Sequence, residues 1–411
     1  MLIKNGNVHD GCGKVAKVDL RVVDGRIAEI GKDLTASEGE EVLDAAGLEV
    51  LPGFVHAVTQ WGVNGNWTEI RPSSNDNDER SEPITPELDA FYAFNGRACT
   101  AQQLGAFGIT VVGVAPSDNN LFGGQIAAFS VEGVNPYKMC LRRGIGMKAS
   151  VTNALKMSYG ARQMAPMSRM WIFGQLEEQL RKASEYAEKK AKETAEKEKA
   201  EAAGRKKNAK KKAEDAPAPE TPYDAKLEAI GKVLTGELPL FITCDSLIAA
   251  ERVRDITSTY PAVKLVLING YGLTGEEDWI IEKKIPIVVK PADYTVDREA
   301  MTLDLQAIAK LWKAGVPIIV NGNGNVREDL LWTGSELMRV LGDSEEVLKM
   351  ATSVPAKVLG IDDLTGSVQE GRRADLVLWQ GDPMKTWDAH IVRTFCGGET
   401  IYREGDEMKC M

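Results

Sequence analysis

The chain has 411 residues, a formal net charge of −10, 43% hydrophobic residues and 27% charged ones. That length suits one large α/β barrel with a satellite, or two ordinary domains, and the composition is that of a soluble globular protein. The acidic balance argues against general affinity for phosphate backbones, and no apolar run is long enough to span a bilayer, so neither a nucleic-acid nor a membrane partner is expected.

Met1-Leu2-Ile3-Lys4-Asn5-Gly6 lacks a charged-then-apolar signal pattern and reads as the start of a strand, which makes cytoplasm the expected location. Val18–Val23 and Arg26–Gly31 are alternating runs joined by Asp24-Gly25, a strong hairpin signal. From about residue 51 the pattern changes. Buried-type apolar runs at Ile109–Val114, Pro239–Thr243, Val263–Ile268, Ile285–Val289 and Val316–Val320 interleave with helical periodicity at Ser246–Tyr260, Glu276–Lys283, Asp297–Ala314 and Ser344–Leu359. Alternating β and α elements of this kind imply a parallel sheet covered on both faces, and residues 51–359 hold enough units for a (β/α)8 barrel.

The segment from Leu176 to Glu214 breaks the rhythm. It is rich in Lys, Glu and Ala and leads into Asp215-Ala216-Pro217-Ala218-Pro219-Glu220-Thr221-Pro222. It has little apolar surface to bury, so residues 176–224 read as an insertion in the barrel, a solvated helix or disordered chain followed by a stiff Pro linker. Towards the end, Ala374–Trp379, Ile391–Phe395 and Glu399–Tyr402 return to short strands around Gly381-Asp382-Pro383 and Gly397-Gly398. The two ends, 1–50 and 360–411, are therefore expected to share one small β-sandwich domain.

Six scattered cysteines without a C-x-x-C pair read as reduced thiols. The chain has three histidines, His9, His56 and His390, with no metal-ligand spacing among them. Imidazole is the commonest protein ligand for zinc and its relatives, so a two-metal hydrolase would find few ligands here.

Several segments together resemble the amidohydrolase superfamily, in particular its imidazolonepropionase-like, cyclic-amide-hydrolase branch. They are Leu51-Pro52-Gly53-Phe54-Val55-His56-Ala57; Pro83-Ile84-Thr85-Pro86; Gly108–Val112 with Pro116–Asn120 and Gly123-Gly124-Gln125; and Met147-Lys148 through Lys156. Pro355-Ala356-Lys357-Val358-Leu359-Gly360 with Gly366-Ser367-Val368 and Gly371–Val377 resembles the closing signature. In active members, histidines, a carboxylate and sometimes a carboxylated lysine converge at barrel strand ends on one or two metals. The metal activates a water and the last aspartate moves protons.

Carried over residue by residue, the H-x-H of that family falls on Val58 and Gln60, and His56 lies where the family often has aspartate. The strand-five and strand-six histidines fall on Thr243 and Asn269. The strand-eight aspartate falls on Asn323, although the repeat Asn321-Gly322-Asn323-Gly324-Asn325 leaves that register open by a residue or two. Lys148 falls where some relatives carboxylate a lysine, and a salt-bridged or surface lysine is the expectation for it. Valine offers no lone pair and a glutamine amide is a poor zinc ligand. His56, Val58, Gln60, Lys148, Thr243, Asn269 and Asn323 are thus read as vestigial pocket positions, with no catalytic residue and no metal ligand. An improvised site from Cys140, Cys244 and Asp245, or a nucleophilic triad, has no supporting spacing.

Three functions follow: a non-catalytic homologue serving as a binding or scaffold subunit, a hydrolase of cyclic amides or related C–N bonds with an atypical site, or a small-molecule sensor. The first is preferred. It implies no cofactor, where the second would need zinc or another divalent metal. It also implies a homo-oligomer, or a complex with an active amidohydrolase-like subunit, and allows a small-molecule ligand.

Overall fold

A computed structural model of the chain describes residues 1–64, 75–97, 101–204, 221–268, 275–290, 305–322, 329–386 and 388–406. The N-terminal strands are β1 (Leu2–His9), β2 (Val15–Val23), β3 (Arg26–Gly31), β4 (Val42–Asp44) and β5 (Glu49–Pro52). The expected hairpin forms: Asp24 and Gly25 take φ of 48° and 73°, and Val23 pairs with Arg26 across them. Positive φ at both turn residues matches the right-handed twist of the flanking strands.

Eight further strands make the barrel: β6 (Phe54–Thr59), β7 (Ile109–Val114), β8 (Phe122–Ser130), β9 (Cys140–Ser150), β10 (Leu240–Thr243), β11 (Leu265–Ile268), β12 (Ile287–Val289) and β13 (Ile318–Val320). They are hydrogen-bonded in chain order. One detail departs from the all-parallel expectation, because β8 runs antiparallel to both β7 and β9. A parallel crossover needs a dozen or more residues, and between Val114 and Phe122 the chain has only the loop 115–121, so it must turn back.

The last strands, β14 (Leu376–Gln380), β15 (His390–Cys396) and β16 (Glu399–Arg403), join the N-terminal ones through β14, which lies antiparallel to β5. One eight-stranded sheet built from both ends of the chain therefore wraps a core that includes Ile3, Leu20, Ile27, Val50, Leu376 and Phe395.

Side chains of the barrel interior, among them Val55, Val111, Ile126, Phe241, Val266 and Ile319, pack as a separate buried cluster. The opposite strand faces meet the helices in a larger one that contains Phe54, Ile109, Leu240 and Ile308. The periodicity over Ser344–Leu359 resolves into two helices, Ser344–Ala351 and Ser353–Val358, broken at Thr352 (φ −132°, ψ −84°). Pro355 has no N–H for the Ala351 carbonyl, which ends the first helix there.

The Lys/Glu/Ala segment begins as part of one long helix, Arg169–Gly204. Its first half is core: Ile172, Leu176, Leu180 and Ala183 are fully buried. Tyr186 is buried as well, and its hydroxyl donates to Glu228 at 3.0 Å and accepts from the Asp224 amide at 3.2 Å. The solvated part therefore starts beyond Tyr186 and not at Leu176. Most of the Ala-Pro tract lies outside the described residues, and among those described no helix is long and apolar enough to cross a membrane.

Candidate functional site

The C-terminal ends of the barrel strands gather Gln60 after β6, Lys148 within the last turns of β9, Thr243 at the end of β10, Lys290 after β12 and Asn321 after β13. This end of a parallel barrel is where chemistry is placed in such folds. Asn269 and Asn323 lie outside the described residues.

Lys148 is the centre of the cluster. It is 2% exposed, and its ammonium forms an ion pair with Asp118 from the loop after β7. It also donates to Thr243 Oγ1 at 2.9 Å and to the Ala149 carbonyl at 3.0 Å, so all three N–H groups have partners. The Thr243 hydroxyl in turn donates to Asp118 Oδ1 at 2.6 Å. Burial works to raise the Asp118 pKa, but the Lys148 and Lys290 charges and these hydrogen bonds win and hold it well below the usual carboxylate range. Burial lowers the Lys148 pKa against the pull of Asp118, and Lys290 adds to the lowering. The charges of both Lys148 and Lys290 thus act on Asp118. The space they leave, bounded also by Val58, Thr59 and Gln60, is about 10 Å³, room for one water molecule.

The first-strand positions are engaged elsewhere. Both backbone groups of Val58 bind the Asn321 side chain: its Oδ1 accepts from Val58 N at 3.1 Å and its Nδ2 donates to Val58 O at 2.9 Å. Among the described residues no backbone ladder joins β13 to β6, so this fully buried amide closes the barrel. Gln60 Oε1 accepts from Asn77 Nδ2 at 3.3 Å, and the same Nδ2 donates to Asn64 Oδ1 at 2.6 Å. His56 is fully buried, with Nε2 3.4 Å from the Gly322 carbonyl and Nδ1 without a partner among the described residues. Desolvation pulls its pKa down to about 4, which keeps it neutral.

The other two histidines stand apart from the barrel mouth. His9 bridges Glu49 and Glu345, each at 2.7 Å, and His390 lies half exposed on β15. Cys140, Cys244 and Asp245 do not converge. Cys140 opens β9 while Cys244 follows β10, whose Thr243 pairs with Ser150 at the far end of β9. Burial raises the Cys244 pKa to about 12, and Asp245 is taken by the Asn153 amide at 2.8 Å.

A different trio, Glu132, Asp375 and Cys396, does bring three ligand atoms within 4.8 Å of one another. Its cation is already present: Arg373 donates to both Glu132 oxygens, at 2.9 and 2.8 Å, and to Asp375 at 3.3 Å. The closing signature Gly371–Val377 therefore works as a guanidinium-centred joint between the terminal sheet and the barrel.

Asp118, Lys290 and Asn321 are members of the site that sequence reasoning did not assign. A lysine ending the apolar run Ile285–Val289 was a usable signal, as was the open register around Asn321. Asp118 reaches the site from a loop and gave none.

The family model described as "Amidohydrolase family" matches residues 141–401. A 5-methylthioadenosine/S-adenosylhomocysteine deaminase of Thermococcus sibiricus is 24% identical over 420 aligned positions, covering 92% of this chain and 85% of that one. A dihydroorotase of Thermoanaerobacter is 49% identical over 55 residues, 13% of this chain and 12% of that one. The crystal structure of an amidohydrolase from Thermotoga maritima superposes with a TM-score of 0.84 at 27% identity, covering 98% of this chain and 99% of that one. With a matched span of this length on a barrel of this topology, the chain belongs to the amidohydrolase family.

Proposed function

We propose that the chain is a catalytically degenerate amidohydrolase homologue that acts as a non-catalytic binding or scaffold subunit. One observation carries this reading: the strand-end pocket is built around the ammonium of Lys148, held by Asp118 and Thr243 with Lys290 beside it. These residues do not fit a divalent metal. A metal there would have to displace or repel two lysines, and Val58, Gln60 and Thr243 offer it no imidazole or carboxylate in exchange for its water. His56 is the one histidine near the pocket, and a single neutral imidazole does not make a metal site.

Metal-activated water is the chemistry that would be lost with the ion, so what remains for the pocket is shape and hydrogen bonding. The partner this reading calls for is a second copy of the chain or an active amidohydrolase-like subunit, with a small-molecule ligand as a further possibility. No cofactor is proposed.

A second reading, a hydrolase of C–N bonds other than peptide bonds with an atypical site, is favoured by the relative named a deaminase that spans most of the chain. The two are separated by assaying the purified chain against cyclic amides and aminopurine nucleosides, with and without added zinc. Native mass spectrometry of the same preparation reports the assembly. No turnover in either condition is expected; turnover that rises with zinc and is lost on chelation would overturn the non-catalytic reading.

A further inference from the structure

At the other pole of the barrel, around the N-terminal ends of β10, β11 and β12, lies a cavity of about 930 Å³. Its wall is apolar: Val263, Val266, Ile285 and Val358 line it together with the half-buried rings of Tyr260 and Trp279. All of these belong to the large core or to the barrel-interior cluster, so the cavity is a recess in packed structure rather than a loop crevice. Pockets of this size and lining take small ligands that bury most of their surface.

Its charged groups are mostly of one sign. Lys264, Lys283 and Lys284 stand on the rim with Arg254, against a single carboxylate, Asp255. Arg254 is committed to Glu276 and Asp255, and Lys284 Nζ to the Ala314 carbonyl. Among the described residues Lys283 pairs with its neighbour Glu282 alone, at 3.9 Å. Lys264 is exposed and has no ion-pair partner among the described residues. The Trp279 indole N–H likewise makes no hydrogen bond among the described residues, which leaves a donor on the apolar wall, whereas the Tyr260 hydroxyl lies near the charges of Glu177, Arg181 and Glu185. In a chain of net charge −10, a pocket edged by surplus cations is selective for a negative group.

We propose that this recess is a second ligand site, distinct from the strand-end pocket, for an amphipathic carboxylate of the medium-chain acyl or aryl class. The hydrocarbon part fills the wall between Val263, Ile285 and Trp279. The carboxylate meets Lys264 and Lys283 at the rim, where the Trp279 N–H completes its hydrogen bonds. The inference does not rest on the loss of catalysis at the other pole and survives or fails independently of it.

The test is calorimetric titration of the full chain with decanoate, and with decanol as the uncharged chain of equal length. Decanoate should saturate one site with a Kd below about 1 mM, and decanol should bind about tenfold more weakly, the effect of one lost charge-assisted contact. Lys264→Glu, an exposed position that should not perturb folding, should weaken decanoate by about tenfold or more. Trp279→Ala, checked for an unchanged circular dichroism spectrum, should weaken both ligands. Absence of saturable decanoate binding would overturn the proposal. So would equal affinity for decanol, or full affinity in both variants.

Discussion

The side-chain amide of Asn321 replaces a rung of backbone ladder by gripping both the N–H and the carbonyl of Val58, at 3.1 and 2.9 Å. Only an amide presents an acceptor and a donor at that separation. Asn321→Asp keeps the acceptor but turns a carboxylate towards the Val58 carbonyl in a fully buried place. It should cost about 2–4 kcal/mol of unfolding free energy in urea titrations, and Asn321→Ala about 1–3 kcal/mol. If both variants match the wild type, the barrel does not depend on this closure.

How much of this was legible in the sequence depends on the range of the physics involved. The hairpin at Asp24-Gly25 is local chemistry and was readable, as were the C-terminal ends of five of the eight barrel strands from their apolar runs. β8 itself was not read as a strand, so the short loop 115–121 that forces it to run antiparallel carried no signal. Lys148 was placed in the pocket and expected to be salt-bridged or at the surface; it is buried and paired, and its partner Asp118 could not be named. That contact spans thirty residues and is set by the barrel rather than by any spacing.

The insertion should be removable, though within narrower limits than composition suggests. Deleting residues 195–220 should leave the thermal transition nearly unchanged, since Ala195–Lys199 are exposed or nearly so and contribute little to a core. Deleting 184–222 also removes the Tyr186 contacts with Glu228 and Asp224, and the bond from the Thr221 amide to Glu193 at 3.1 Å. That longer deletion should lower stability by about 1–3 kcal/mol. Equal melting temperatures for the two deletions would show that the Tyr186 contacts are energetically idle.

His56 should make the fold sensitive to mild acid. Its folded pKa of about 4 lies below the ordinary 6.5, so the unfolded chain binds the proton first. The stability it contributes is complete above pH 6.5 and is lost as pH falls towards 4, by about 3 kcal/mol across that window. In His56→Gln the slope of stability against pH between 6.5 and 4 should flatten by the corresponding one proton. An unchanged slope would mean that the imidazole is solvated.

The Lys148–Asp118 pair should behave as a coupled unit. Lys148→Met leaves Asp118 facing Thr243 without its ion-pair partner, with only the charge of Lys290 still acting on it. The expected cost is about 2–4 kcal/mol, short of a fully buried orphan because Asp118 remains 29% exposed. Adding Asp118→Ala should recover part of the loss, giving a coupling free energy of at least about 1 kcal/mol in a double-mutant cycle. Strictly additive losses would place the two groups outside each other's influence.

The most direct measurement is the metal content of the wild-type chain, expressed in zinc-supplemented medium and purified without chelator. It should be compared with a variant carrying Val58→His, Gln60→His, Thr243→His, Asn269→His and Asn323→Asp. With Lys148 and Lys290 holding the pocket, the wild type should carry far less than one equivalent of any transition metal, and uptake should appear only in the variant. A stoichiometric metal in the wild type, displaced by chelator with loss of cyclic-amide hydrolysis, would contradict the non-catalytic assignment outright.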